Sequence, residues 1–161
     1  MAIYMKLDKI KGGIATGTYK DTIELTSFNT GCSRVYSQPV GTAQNRTKGG
    51  MEIDMVDVSK LWDGHSSAKL FQSVSKGDMD IKATISFTGA DKEAYLEVEL
   101  TNVALAKYSI SGSGGPDMDA PHENLTLSFT AIQWTPYTFD AKGNKVKGGI
   151  VTHDLVTIKT S

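Results

Sequence analysis

The chain has 161 residues, 39% of them apolar, 22% charged and 8% aromatic, an ordinary composition for about one globular domain that excludes disordered, collagen-like and coiled-coil classes. Lysine and arginine total 17 against 18 acidic residues, so the net charge is −1 and there is no global field to hold nucleic acid or anionic lipid; neither is expected as a partner. The single cysteine, Cys32, excludes an internal disulfide and multi-cysteine zinc sites.

From the N-terminus, Ile3, Met5 and Leu7 alternate with Tyr4, Lys6 and Asp8 and predict a half-buried strand. Its charges interrupt what a signal peptide would need as an apolar run. No later stretch approaches ~20 uninterrupted apolar residues, so folding in the cytosol is expected. The sequons at Asn45 and Asn124 then lack a secretory context and read as chance. Lys11-Gly12-Gly13 marks a turn. Residues 34–50 carry three cations (Arg34, Arg46 and Lys48), no acid and few large apolar groups. They predict an extended polar loop, suited to an acidic surface on a partner or on another copy.

Met51, Ile53 and Met55 alternate, then the phase changes to Val56 and Val58. Leu61 and Trp62 lead into the one predicted helix, 66–76, with Leu70, Phe71 and Val74 on its apolar side, Ser66 or Ser67 as N-cap and Gly77 just past its end. Ile81, Ala83, Ile85 and Phe87 predict a further strand. Leu96, Val98 and Leu100 predict another, whose phase shifts to Val103 and Leu105. A Gly-rich turn at 111–116 precedes Leu125, Leu127, Phe129 and Ala131, which change phase at Ile132 and Trp134; Lys142-Gly143-Asn144 is a turn, and 151–158 is a weaker strand. The total is seven or eight strand segments. Side chains alternate strictly between the faces of a strand, so each change of phase implies a bulge or bend that carries the chain round a corner, as in a curved sheet or barrel.

Chemical motifs are sparse. Gly64-His65-Ser66-Ser67-Ala68 approaches the Gly-x-Ser-x-Gly elbow but lacks a βαβ setting, and its serines stand where a helix cap belongs. His65, His122 and His153 show no metal-binding spacing. Asp117, Asp119, His122 and Glu123 form an acidic cluster without the pattern of a calcium loop, and read as solvated. The Gly-rich runs match no nucleotide cradle. The residues therefore assign no catalytic group, metal or cofactor. A monomeric small-ligand-binding β-barrel and, further off, a serine hydrolase built on Ser66 remain open as alternatives.

Three stretches together carry a resemblance: Ala2-Ile3-Tyr4-Met5-Lys6-Leu7-Asp8 with Ile23 to Phe28 and Gly31; Asp63 to Phe71 with Gly77; and Tyr95 to Val103 with Tyr108, Gly112 to Gly115, Glu123 to Phe129 and Ile132-Gln133-Trp134. In order and spacing they resemble the haemolysin co-regulated protein (Hcp) family, the tube subunit of the bacterial type VI secretion system. Ala68 stands where the family often has Pro. The resemblance implies a mainly β fold, a curved two-sheet β-barrel with one short helix packed at its side. It implies a structural subunit rather than an enzyme, with six copies closing into a ring and rings stacking into a tube. Sheath, spike and effector proteins are the implied partners, and the implied route runs from the bacterial cytoplasm through the apparatus without a signal peptide. Residues 34–50 correspond to a loop reaching toward the neighbouring ring, with Arg34, Tyr36, Arg46 and Lys48 as its contacts. Matching Phe28 and Gly31 places Asn29, where the family commonly has Ser, at a lumen position implicated in effector binding.

Overall fold

In the computed structural model, which describes residues 1–37, 47–116 and 120–161, the alternating segments form strands around one apolar interior. β1 (Ala2–Leu7) directs Met5 and Leu7 inward and lies antiparallel between β2 (Ile23–Leu25) and β7 (Ile81–Thr88). β7 pairs β8 (Ala94–Ser111), β8 pairs β9 (His122–Ser128), and β9 pairs β6 (Val56–Leu61). β6 in turn pairs β3 (Ser27–Asn29), which continues from β2 through Thr26, whose N–H donates to the Ser59 carbonyl at 2.8 Å. The pairing path thus returns to the continuous β2–β3 segment, of which β2 pairs β1 and β3 pairs β6. The remaining strands extend one sheet outward: β10 (Ala131–Phe139) pairs the first half of β8, β11 (Lys145–Lys147) and β12 (Val151–Asp154) pair β10, and β13 (Lys159–Thr160) pairs β12.

The 18-residue β8 belongs to both sheets, and it turns the corner where its phase changes. Ile81 opposes Val103 but Ala83 opposes Leu100, so β8 carries one extra residue. Asn102 takes it up at φ 51°, a left-handed conformation that Asn tolerates better than most residues. Val98 and Leu100 before the bulge, and Val103 after it, are consequently all fully buried. A second irregularity between Leu105 and Lys107 repeats the device against β9.

The helix α1 (Ser67–Lys76) lies against β8 with Leu70 fully buried. Gly77, at φ 70°, ends it: its N–H and that of Asp78 both reach the Ser73 carbonyl, at 3.0 and 3.1 Å. Ser66 holds the N-cap position but makes no capping hydrogen bond. Asp63 closes the turn that leads into the helix, its Oδ1 accepting the N–H groups of His65 and Ser66 at 2.8 and 2.5 Å. Phe71, expected on the apolar side, is 61% exposed and meets the Tyr108 ring edge-on at 5.8 Å.

Two expectations need correction. The segment 34–50 is not loop at its two ends: β4 (Cys32–Ser37) and β5 (Thr47–Ile53) pair antiparallel, with Arg34 opposite Met51 and Tyr36 opposite Lys48. β4 has no buried residue and shows no apolar alternation in sequence, whereas Met51 and Ile53 at the base of β5 alternate and are half-buried. The segment 151–158 is a hairpin rather than one strand. Asp154 Oδ1 accepts the Val156 and Thr157 N–H groups at 2.8 and 3.1 Å, and the chain reverses into β13.

Candidate assembly surfaces

Inward-facing Phe28, Val58, Leu125 and Leu127 leave their sequence neighbours on the outer face of the second sheet, where two polar rows cross it. One row reads Ser27, Ser59, Asn124, Ser109, and the other Asn29, Asp57, Thr126, Lys107. The Ser59 hydroxyl donates to Asn124 Oδ1, and the Thr126 hydroxyl to Asp57 Oδ1, each at 2.6 Å. The rows line a shallow depression of about 200 Å³. Asn29 sits at its edge, exposed, beside a fixed Asp–Thr pair. The two rows offer donors, acceptors and one charge of each sign, and no large apolar side chain.

The β4–β5 ribbon leaves the barrel at a pinned base, where the Asp54 N–H donates to the Gly31 carbonyl at 2.8 Å. It pairs with no other strand among the described residues. Arg34 Nη1 donates to the Gly49 carbonyl at 2.8 Å and ties the two strands together. Val35 and Tyr36 are 69% and 55% exposed. Arg34, Tyr36 and Lys48 are thus brought onto one ribbon, while Arg46 lies outside the described residues.

At the far end of β6 a charged cluster is buried between barrel and helix. Lys60 is 1% exposed and Glu123 is fully buried. The Lys60 ammonium donates to Ser67 Oγ at 3.0 Å, faces Asp63 Oδ2 at 2.9 Å and pairs closely with Glu123 Oε2. Ser67 Oγ accepts the Asp63 N–H at 3.0 Å and donates to Glu123 Oε2 at 2.7 Å, and the Tyr108 hydroxyl donates to the other Glu123 oxygen. All three lysine protons find acceptors, as a buried ammonium requires. Burial opposes ionisation of Asp63, but hydrogen bonds from the Ser66 hydroxyl and amide, from Lys60 and from the His65 amide outweigh it and hold the carboxyl well below its usual range. Burial, then the hydrogen bond to Glu123, raises the Tyr108 phenol far above its ordinary value. One ammonium faces two carboxylates, so the cluster keeps an excess negative charge.

This cluster revises two sequence expectations. Glu123 is no part of a solvated acidic loop but the partner of Lys60, and Asp117 and Asp119 lie outside the described residues. Ser66 is fully buried and its hydroxyl donates to Asp63 Oδ2 at 2.6 Å, so no imidazole activates it. No group of three or more His, Cys, Asp or Glu side chains is placed to hold a metal among the described residues, and none of the described helices is long and apolar enough to cross a membrane. The sequence did carry a signal for the cluster. Lys60 shares the parity of Val56 and Val58, and Glu123 that of Leu125 and Leu127, so alternation alone places both on the core face.

The family described as "Type VI secretion system effector, Hcp" matches residues 4–135. The chain belongs to the Hcp family. The fold agrees with it. A solved structure of a type six secretion system protein covers 99% of this chain and is itself covered at 99%, with a TM-score of 0.84 and 27% identity. Hcp1 from Salmonella typhimurium follows at TM-score 0.77 and 22% identity, over 99% of this chain and 98% of that one. Hcp2 from the same organism follows at 0.69 and 21%, over 99% of each chain. Among curated proteins none matches this sequence. The mainly β architecture with one helix at the side of a two-sheet barrel is therefore the Hcp fold, and the setting of this chain is type VI secretion.

Proposed function

We propose that this Hcp-family chain is a structural subunit of a type VI inner tube: six copies close into a ring, rings stack, and the lumen carries effector proteins to export. The observation that carries the reading is the β4–β5 ribbon. A two-stranded ribbon alone is marginal in water, and this one pairs with no other strand among the described residues and carries a basic pair in Arg34 and Lys48 with exposed Val35 and Tyr36. Such a surface is completed by contact with another copy. The polar sheet face is assigned to the lumen wall, with Asn29 as an effector contact. A wall of short hydrogen-bonding side chains, without large apolar ones in its two rows, holds a folded cargo without gripping it, as transport and release require.

The action is mechanical rather than catalytic. The subunit is made in the bacterial cytoplasm, assembles within the sheath behind the spike, and leaves through the apparatus. Deleting the gene from its host and restoring it tests this. Type VI cargo in the medium should fall on deletion and return on restoration, and export unaffected by the deletion contradicts the proposal. Asn29→Gln should lower cargo retention while leaving rings intact; unchanged retention removes Asn29 from the contact.

A further inference from the structure

A cavity of about 460 Å³ opens to solvent between the start of β2 and the segment joining β6 to α1, a size ordinary for a binding site. Ile14, Leu25, Leu61 and Trp62 supply its apolar wall. Leu61 and Trp62 are 39% and 44% exposed, large apolar side chains held half out of the core. Backbone hydrogen bonds fix both sides of the opening. The Trp62 N–H donates to the Pro121 carbonyl at 2.8 Å, and the Ile14 carbonyl accepts the Asp21 N–H at 2.8 Å. The groove is thus formed before anything enters it, which lowers the cost of binding.

Its charge is one-sided. The ionisable side chains along the groove are Glu24, Asp63 and His65, and neither Lys nor Arg lines it. Asp63 is already committed, to the Lys60 ammonium at 2.9 Å and the Ser66 hydroxyl at 2.6 Å. Glu24 differs: it is exposed, opposite Tyr4 in the sheet, and among the described residues its carboxylate has no hydrogen bond or ion pair. Behind the wall the Lys60 cluster keeps one excess negative charge. A free carboxylate and an exposed indole on one apolar groove select a cation carried on an apolar stem. Arginine suits them better than lysine, because a planar guanidinium stacks on an indole and forks onto a carboxylate. Tryptophan and arginine are also the side chains that, with tyrosine, most often dominate contacts between proteins. The chain has little arginine of its own to offer. Only Arg34 and Arg46 are arginine among its 17 basic residues, and Arg34 already donates to the Gly49 carbonyl at 2.8 Å.

We infer that the Glu24–Trp62 groove receives an arginine side chain of a protein other than this chain. Its guanidinium meets the Trp62 ring and the Glu24 carboxylate, and its stem lies against Ile14, Leu25 and Leu61. The probe is the capped peptide acetyl-Gly-Arg-Gly-amide, titrated into the full-length chain while tryptophan emission is followed. The same peptide with citrulline, a neutral residue of the same shape, is the control. Of the two tryptophans, Trp134 is packed edge-on against Phe28, so Trp62 is the one positioned to report. The arginine peptide should change the emission saturably and the citrulline peptide should not. Trp62→Phe should remove the signal, and Glu24→Gln should weaken binding about two- to fivefold, as for a lost exposed charge pair, at an unchanged urea midpoint. No saturable change, an equal response to citrulline, or an affinity unmoved by Glu24→Gln overturns the inference. Peptide binding seen only in the Arg34→Ala/Arg46→Ala chain would mean that a second copy fills the groove, and overturns it too. The inference does not rest on the tube reading: light scattering on the same samples tests that separately, and a monomer mass at every concentration overturns the tube reading alone.

Discussion

Replacing Lys60 by Ala removes the one cation in a cluster where Glu123 is fully buried and Asp63 is held by three neighbours. Two carboxylates then face each other without a counter-charge, and the Ser67 hydroxyl loses one of its partners. Breaking a buried pair from one side costs about 3–5 kcal/mol, and at roughly 2–4 °C per kcal/mol for a chain of this length the melting temperature should fall on the order of 10 °C. Glu123→Ala should cost less, because Lys60 keeps Asp63 at 2.9 Å. The double variant Lys60→Met/Glu123→Leu should recover most of the loss, since apolar replacement of a buried pair is often neutral. Urea unfolding at one fixed protein concentration, with a double-mutant cycle, measures this. A Lys60→Ala loss below about 1 kcal/mol, or a double variant no better than the single, refutes the claim that the pair acts as a coupled unit.

Other outcomes follow from single positions. A Cβ on Gly12 would sit 2.0 Å from the Thr22 carbonyl oxygen, so Gly12→Ala should cost about 3 kcal/mol or more, read as a lowered urea midpoint; a neutral result contradicts the packing of that turn. Asn102→Val should cost about 1–3 kcal/mol and Asn102→Gly far less, because φ 51° suits Gly and Asn but not a β-branched residue; equal costs would dissociate the corner of β8 from this residue. Asp63 titrates lower folded than unfolded, so its contribution is complete above the unfolded value of about 3.9 and is lost as pH falls through the folded one. Asp63→Asn should therefore flatten the acid side of the stability curve below about pH 4 while lowering stability at neutral pH, and an acid arm identical to the wild type contradicts this. Ionisation of Tyr137 is pushed up to about 12, first by its hydrogen bond to Glu97 and then by burial, so its phenol should still be protonated when free tyrosine titrates near about 10; ultraviolet titration of Tyr137→Phe against wild type identifies it by difference.

Much of the barrel was legible because burial imposes a period of two, and the changes of phase at Leu100–Val103 and Met55–Val56 marked corners that are a bulge at Asn102 and a strand junction. The helix was legible from its ends, since Gly77 terminates it and Ser66 holds its N-cap position, yet that serine makes no capping hydrogen bond and its hydroxyl turns back to Asp63. Of the ribbon, β4 and the first half of β5 were not legible as strands, whereas Met51 and Ile53 in the second half were. Both faces of β4 meet solvent, and a polar ribbon has the composition of a loop. The Lys60–Glu123 pair was missed although parity put both inward, because a lone Lys on a strand reads as exposed until the partner 63 residues away is known. Asn29 was placed by resemblance to a family, and the structure adds its neighbours: Asp57 beside it and Thr126 beyond.

The arrangement gives mechanical roles to separate parts of one small barrel. In the proposed tube, the barrel of strands is the rigid unit, the polar sheet face is the surface offered to cargo, and the β4–β5 ribbon is the part offered to another copy. The most direct test of the central claim is light scattering on the size-exclusion peak of the purified chain, with negative-stain images of the same fraction. The account predicts about 104 kDa, six times the 17.3 kDa chain, and ring-shaped particles. A monodisperse 17.3 kDa species at micromolar concentration, without rings, would contradict it.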